Sequence, residues 1–82
     1  MTEKERKEHE ENLNALKTLF NELRLEIAGK YDSKGWTQIK TYINNRALWI
    51  VVYSTGDFGI KYDYKVPTIK RLKEELEKMI KQ

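Results

Sequence analysis

Between Trp36 and Val66 the chain offers three runs of aromatic and β-branched residues, WTQIKTYI, RALWIVVYS and FGIKYDYKV, parted by Asn44-Asn45 and Thr55-Gly56-Asp57. Such runs between turn residues are strand signals, and helical periodicity flanks them on both sides. The chain is thereby directed to a meander sheet packed by helices. Asn tolerates the positive φ of a tight hairpin turn better than other non-glycine residues. A two-residue Asn44-Asn45 loop predicts Ile43 opposite Arg46, Thr41 opposite Leu48 and Ile39 opposite Ile50. One face then carries Ile39, Ile43, Leu48, Ile50 and Val52; the other carries Trp36, Tyr42, Ala47, Trp49, Val51 and Tyr53.

The second turn decides which face is the core, because a one-residue slip sends every side chain of a strand to the other side. A type II′ turn at Gly56-Asp57 sets Tyr53 opposite Ile60, Val51 opposite Tyr62 and Trp49 opposite Tyr64, and makes the aromatic face continuous. A three-residue loop sets Val52 opposite Ile60 and Ile50 opposite Tyr62. The aliphatic face then spans all three strands, and Trp36, Tyr42, Trp49 and Tyr53 lie beside Lys40, Lys61 and Lys65 on the opposite side. Both registers are open at the level of sequence.

Thr2 and Glu5 have capping-box spacing, and Leu13, Leu16, Phe20, Leu23 and Ile27 recur at three- and four-residue steps. The first helix is expected over residues 3–28, with Gly29 as its left-handed cap and Lys30 to Gly35 as a loop. Residues 1–11 have no apolar stripe; they hold five acids and three bases, net −2, and are expected to fray. Pro67 suits the first turn of a second helix, whose stripe is Ile69, Leu72, Leu76, Met79 and Ile80. The fold class is therefore α+β, one domain over 1–82, with element order α-β-β-β-α: a three-stranded antiparallel meander between an N-terminal and a C-terminal amphipathic helix.

Composition narrows the chemistry. Without cysteine there is no disulfide, thiolate metal site or thiol nucleophile. No apolar run approaches the roughly 20 residues that span a bilayer, and TEKERKEHEE is unlike a signal peptide. The expectation is a soluble, cytoplasmic chain without membrane contact. The sole histidine, His9, falls among the charged turns of the first helix, where a solvated role is expected. Asp63-Tyr64-Lys65 echoes the acidic-x-Lys signature of metal-dependent nucleases, but the upstream Asp57 lies six residues away, roughly 20 Å along a strand. Neither a catalytic set, a metal site nor a cofactor is expected.

Two features point to binding. Lys70-Arg71-x-Lys73 stands in the first turns of the second helix, where the dipole disfavours cations, and the acids Glu74, Glu75 and Glu77 follow in the less favourable order. A bound phosphate would relieve that repulsion; pairs Lys70 with Glu74, Arg71 with Glu75 and Lys73 with Glu77 would relieve it internally. Second, Trp36, Tyr42, Trp49 and Tyr53 could stack bases while Lys40, Lys61 and Lys65 follow phosphates. Residues 30–66 hold six bases against three acids, net +3, and residues 67–82 five against three, net +2, so the positive charge gathers where these features lie.

The order helix, three strands, helix resembles the double-stranded-RNA-binding domain, whose two helices cover one face of a three-stranded sheet. The basic start of the last helix is in the matching place. The chain has neither the glycine-proline-histidine hairpin loop nor the full lysine block of that family, so no residue role is carried over. The expectation is a small non-enzymatic binding module for nucleic acid. The alternative is a protein-binding module, a regulator or inhibitor that docks its aromatic sheet face on a partner or in a homodimer.

Overall fold

The computed structural model describes residues 2–54, 57–60 and 64–82. The chain runs α1 (Glu3–Glu22), β1 (Gly29–Ser33), β2 (Trp36–Ile43), β3 (Arg46–Tyr53), β4 (Phe58–Ile60), β5 (Tyr64–Val66), α2 (Ile69–Ile80). The architecture is α+β, as expected, but the sheet has five antiparallel strands in sequence order rather than three. The stretch expected to be a loop supplies β1 and a turn at Lys34-Gly35, where Gly35 takes φ 82°. The run FGIKYDYKV, expected to be one strand, holds two, β4 and β5, paired antiparallel; Lys61, Tyr62 and Asp63 lie outside the described residues, and with them the acidic-x-Lys echo.

Thr2 caps α1 as its spacing predicts: Thr2 Oγ1 accepts from the Glu5 N–H at 3.2 Å and donates to the Glu5 carboxylate at 3.0 Å. The helix stops at Glu22, short of Gly29. Arg24 N–H donates to Asn21 O and Leu25 N–H to Phe20 O, the paired bonds of a Schellman motif, with Arg24 in the left-handed position at φ 57°. Leu25 then packs against the core while Ile27 is left exposed. At the other end Pro67 precedes the helix instead of opening it; Thr68 is the N-cap and accepts from Arg71 N–H.

The Asn44-Asn45 hairpin has the predicted register, both asparagines lying at positive φ, 52° and 66°. The second hairpin takes neither register open in the sequence: Val52 faces Phe58 and Ile50 faces Ile60. Thr55 and Gly56 of that turn lie outside the described residues. The type II′ pairing of Tyr53 with Ile60 is thereby overturned. The observed register differs from the three-residue alternative by two positions, which preserves the faces, and it sets Phe58 and Ile60 against Ile50 and Val52.

Leu16, Leu19 and Phe20 of α1 and Leu72 and Leu76 of α2 form one buried cluster with Ile39, Ile43, Leu48, Ile50, Val52, Phe58, Ile60 and Val66. Both helices thus cover the aliphatic face. Two helices on one sheet face agree with the layer order expected; five strands instead of three depart from it. No helix among the described residues is long and apolar enough to cross a membrane.

Candidate functional site

The register puts Tyr31, Trp36, Gln38, Lys40, Tyr42, Trp49, Val51, Tyr53, Gly59 and Lys65 on the face turned away from the helical cluster. Alternation dictates this: every second residue along a strand shares a side, and so do directly paired residues, Tyr42 joining through its partner Ala47. Tyr31 and Tyr42 are more than half exposed, at 58% and 52%. The described strand positions of this face carry two lysines and no carboxylate.

Local contacts organise the surface into three groups. At one end Tyr31 stacks on its diagonal neighbour Trp36, ring centres 5.6 Å apart and planes 29° from parallel. In the middle the Lys40 ammonium lies 5.2 Å from the centre of Tyr42 and 5.7 Å from that of Trp49. Contacts of this kind contribute about 0.5–1 kcal/mol when exposed. They hold the aliphatic stem of Lys40 along the sheet. The Lys65 ammonium similarly sits 5.5 Å from the Tyr53 ring centre. Tyr53 reaches Lys65 by lying across the intervening strand at Gly59.

The helix cluster is elsewhere. Leu72 and Leu76 turn α2 toward the core, so the exposed Lys70, Arg71 and Lys73 belong to the helical layer, on the other side of the sheet from Lys40 and Lys65. Arg71 is 3.3 Å from Glu75 and 3.8 Å from Glu74, the first of these being one of the internal pairs foreseen. Lys73 pairs with Glu22 of α1 at 3.3 Å instead of with Glu77. Lys61 lies outside the described residues. The structure therefore brings together Trp36, Tyr42, Trp49, Tyr53, Lys40 and Lys65, and separates them from Lys70, Arg71 and Lys73.

Tyr31, Gln38 and Gly59 belong to this face and escaped the sequence reading. A signal for Tyr31 existed in the Lys34-Gly35 dipeptide, a two-residue loop between β-formers.

His9 is not a solvated helix residue. Its Nε2 lies 2.9 Å from Thr37 Oγ1, and the Thr37 hydroxyl donates to Asp32 Oδ1 at 2.8 Å. Because the single hydroxyl proton goes to Asp32, His9 must donate from Nε2. His9 Nδ1 is buried with no hydrogen-bond partner among the described residues. The row has the groups of a catalytic triad in the wrong order: the hydroxyl sits between imidazole and carboxylate, gives its proton to the carboxylate, and belongs to a residue only 2% exposed. It ties α1 to the sheet. Among the described residues no group of three His, Asp or Glu side chains is placed to hold a metal ion.

Compared with protein-family models, with curated proteins and with solved structures, the chain gives no match.

Proposed function

We propose that the chain is a non-enzymatic binding module whose open sheet face takes single-stranded nucleic acid. One observation carries the reading: a face left uncovered by both helices combines five aromatic side chains with Lys40 and Lys65 and no carboxylate at its described strand positions. Bases of a single strand stack on exposed rings at about 1–3 kcal/mol each, and lysines neutralise its phosphates. From Trp36 to Tyr42 the strand covers roughly 20 Å at about 3.3 Å per residue, a span suited to a few nucleotides. Lys40 would be handed from the rings of Tyr42 and Trp49 to a phosphate, and the vacated ring faces to bases. Duplexes are disfavoured because their bases are already stacked. Lys70, Arg71 and Lys73 are at most an accessory patch in this reading, since Arg71 and Lys73 already meet carboxylates.

The second reading is a protein partner on the same face. The exposure of Tyr31 and Tyr42 favours it, tyrosine being enriched at such contacts. Salt separates the two. Titrating Trp fluorescence with single-stranded DNA, single-stranded RNA and their duplexes should give saturable quenching by single strands, the affinity falling by about 0.7 log units per tenfold rise in salt for each phosphate neutralised. Lys40→Glu with Lys65→Glu should abolish it, and Lys70→Glu with Lys73→Glu should leave most of it. Absence of binding to all four probes would overturn the nucleic-acid reading. Loss only in the helix variant would move the site to the other layer.

A further inference from the structure

We propose that β1 is the docking edge for a second copy of this chain, joined antiparallel about a two-fold axis at Tyr31. Each protomer's five strands would then continue into its partner's, with the two open faces on one side.

The backbone supplies the first argument. In the two-residue Asn44-Asn45 hairpin Ile43 and Arg46 form a hydrogen-bonded pair, and alternation then aims the odd residues of β2 at β3 and the even ones at β1. Two bonds agree: Ser54 N–H donates to Gly35 O, and Ala28 N–H to Lys40 O. The even residues of β2 pair with Gly29, Tyr31 and Ser33. Lys30 and Asp32 therefore direct their N–H and C=O groups away from the sheet. Four of the five β1 residues are exposed, and the strand contains neither proline nor positive φ within Gly29–Ser33. The opposite edge, β5, has three residues and runs into Pro67.

Charge supplies the second argument and names the occupant. Lys30-Tyr31-Asp32 is self-complementary when reversed. An antiparallel copy centred on Tyr31 sets Lys30 opposite Asp32 of the second copy and Asp32 opposite its Lys30, and these are the two positions whose backbone groups point outward. Tyr31 meets Tyr31 of the second copy in the non-hydrogen-bonded position, where side chains come closest. Both tyrosines lie on the open face, each beside its own Trp36. Within one protomer Lys30 and Asp32 reach each other only at 3.8 Å. Natural edges are usually blunted by shortness, proline, bulges or charged side chains; here the two charges are of opposite sign and complement each other across the two-fold axis. The inference does not depend on what the open face binds.

Sedimentation equilibrium from micromolar to millimolar protein tests it. The wild type should dimerise. Lys30→Asp places acid opposite acid, and Asp32→Lys base opposite base; each alone should dimerise at least about tenfold more weakly, with circular dichroism unchanged. Mixed one to one, the two variants restore both opposite-charge pairs and should form a heterodimer. Lys30→Asp leaves the Asp32–Thr37 bond intact, which keeps the test valid if Asp32→Lys loosens the fold: in that case Lys30→Asp with the wild type should still associate less than the wild type alone. A wild type monomeric throughout the range, or Lys30→Asp dimerising as tightly as the wild type, would overturn the proposal.

Discussion

The ring of Tyr53 lies across Gly59 so closely that a Cβ on residue 59 would come within 3.1 Å of Tyr53 Cε2 and 3.2 Å of its hydroxyl oxygen. A strand glycine is ordinarily a weakness, and here the neighbouring ring occupies the space that its missing side chain leaves. Gly59→Ala should move the ring rather than unfold the chain, because the crowded atoms are the far end of a half-buried side chain. Stability is expected to change by under about 1 kcal/mol while the Tyr53–Lys65 contact is lost. Ring-current shifts of residue 59 and the Lys65 side chain in NMR spectra would report it. Unaltered Lys65 shifts would mean the ring is not held there by the glycine.

Arg24 closes α1 at φ 57°, a position where a side chain costs roughly 1–2 kcal/mol. Arg24→Gly removes that strain and adds unfolded-chain entropy of about 0.4–1 kcal/mol against it. A net gain of about 0.5–1 kcal/mol is expected in urea unfolding. A loss would show that the Arg24 side chain makes a contact worth more than the strain.

Thr37 holds His9 and Asp32 through one hydroxyl. In Thr37→Val the His9 N–H loses its acceptor in a half-buried site, whereas the largely exposed Asp32 carboxylate returns to water. The cost is expected at about 1–3 kcal/mol, with His9→Leu in the same chain recovering part of it. Hydrogen exchange should locate the effect in the first turns of α1, the segment whose sequence has no apolar stripe. Uniform loss of protection across the sheet would instead assign Thr37 a core role.

These residues show why some of the structure was legible in the sequence and some was not. The Asn44-Asn45 hairpin could be read because its cause is local: two residues suited to positive φ between two strand-forming runs. The β1 strand has no buried face to impose alternation, so GKYDS looks like a loop. Arg24 ends α1 where a glycine would have announced it. The role of His9 depends on Thr37, a partner 28 residues away. The aromatic and lysine residues of the open face were identifiable as a group. Their separation from Lys70, Arg71 and Lys73 depended on which sheet face the helices cover, and that followed from the second hairpin's register.

The Asn44 side chain donates to Met79 O at 3.1 Å and Gln82 O at 3.3 Å, so the tip of the central hairpin caps the last turn of α2. Every strand of the meander pairs with its chain neighbour, which requires only short loops to close, and contacts of that kind form early in folding. The bonds from Asn44 join residues 35 and 38 positions apart. They can form only after the hairpin exists and α2 has come down on it. Asn44 is thus a latch set late: removing its amide should quicken unfolding while leaving the folding rate nearly unchanged.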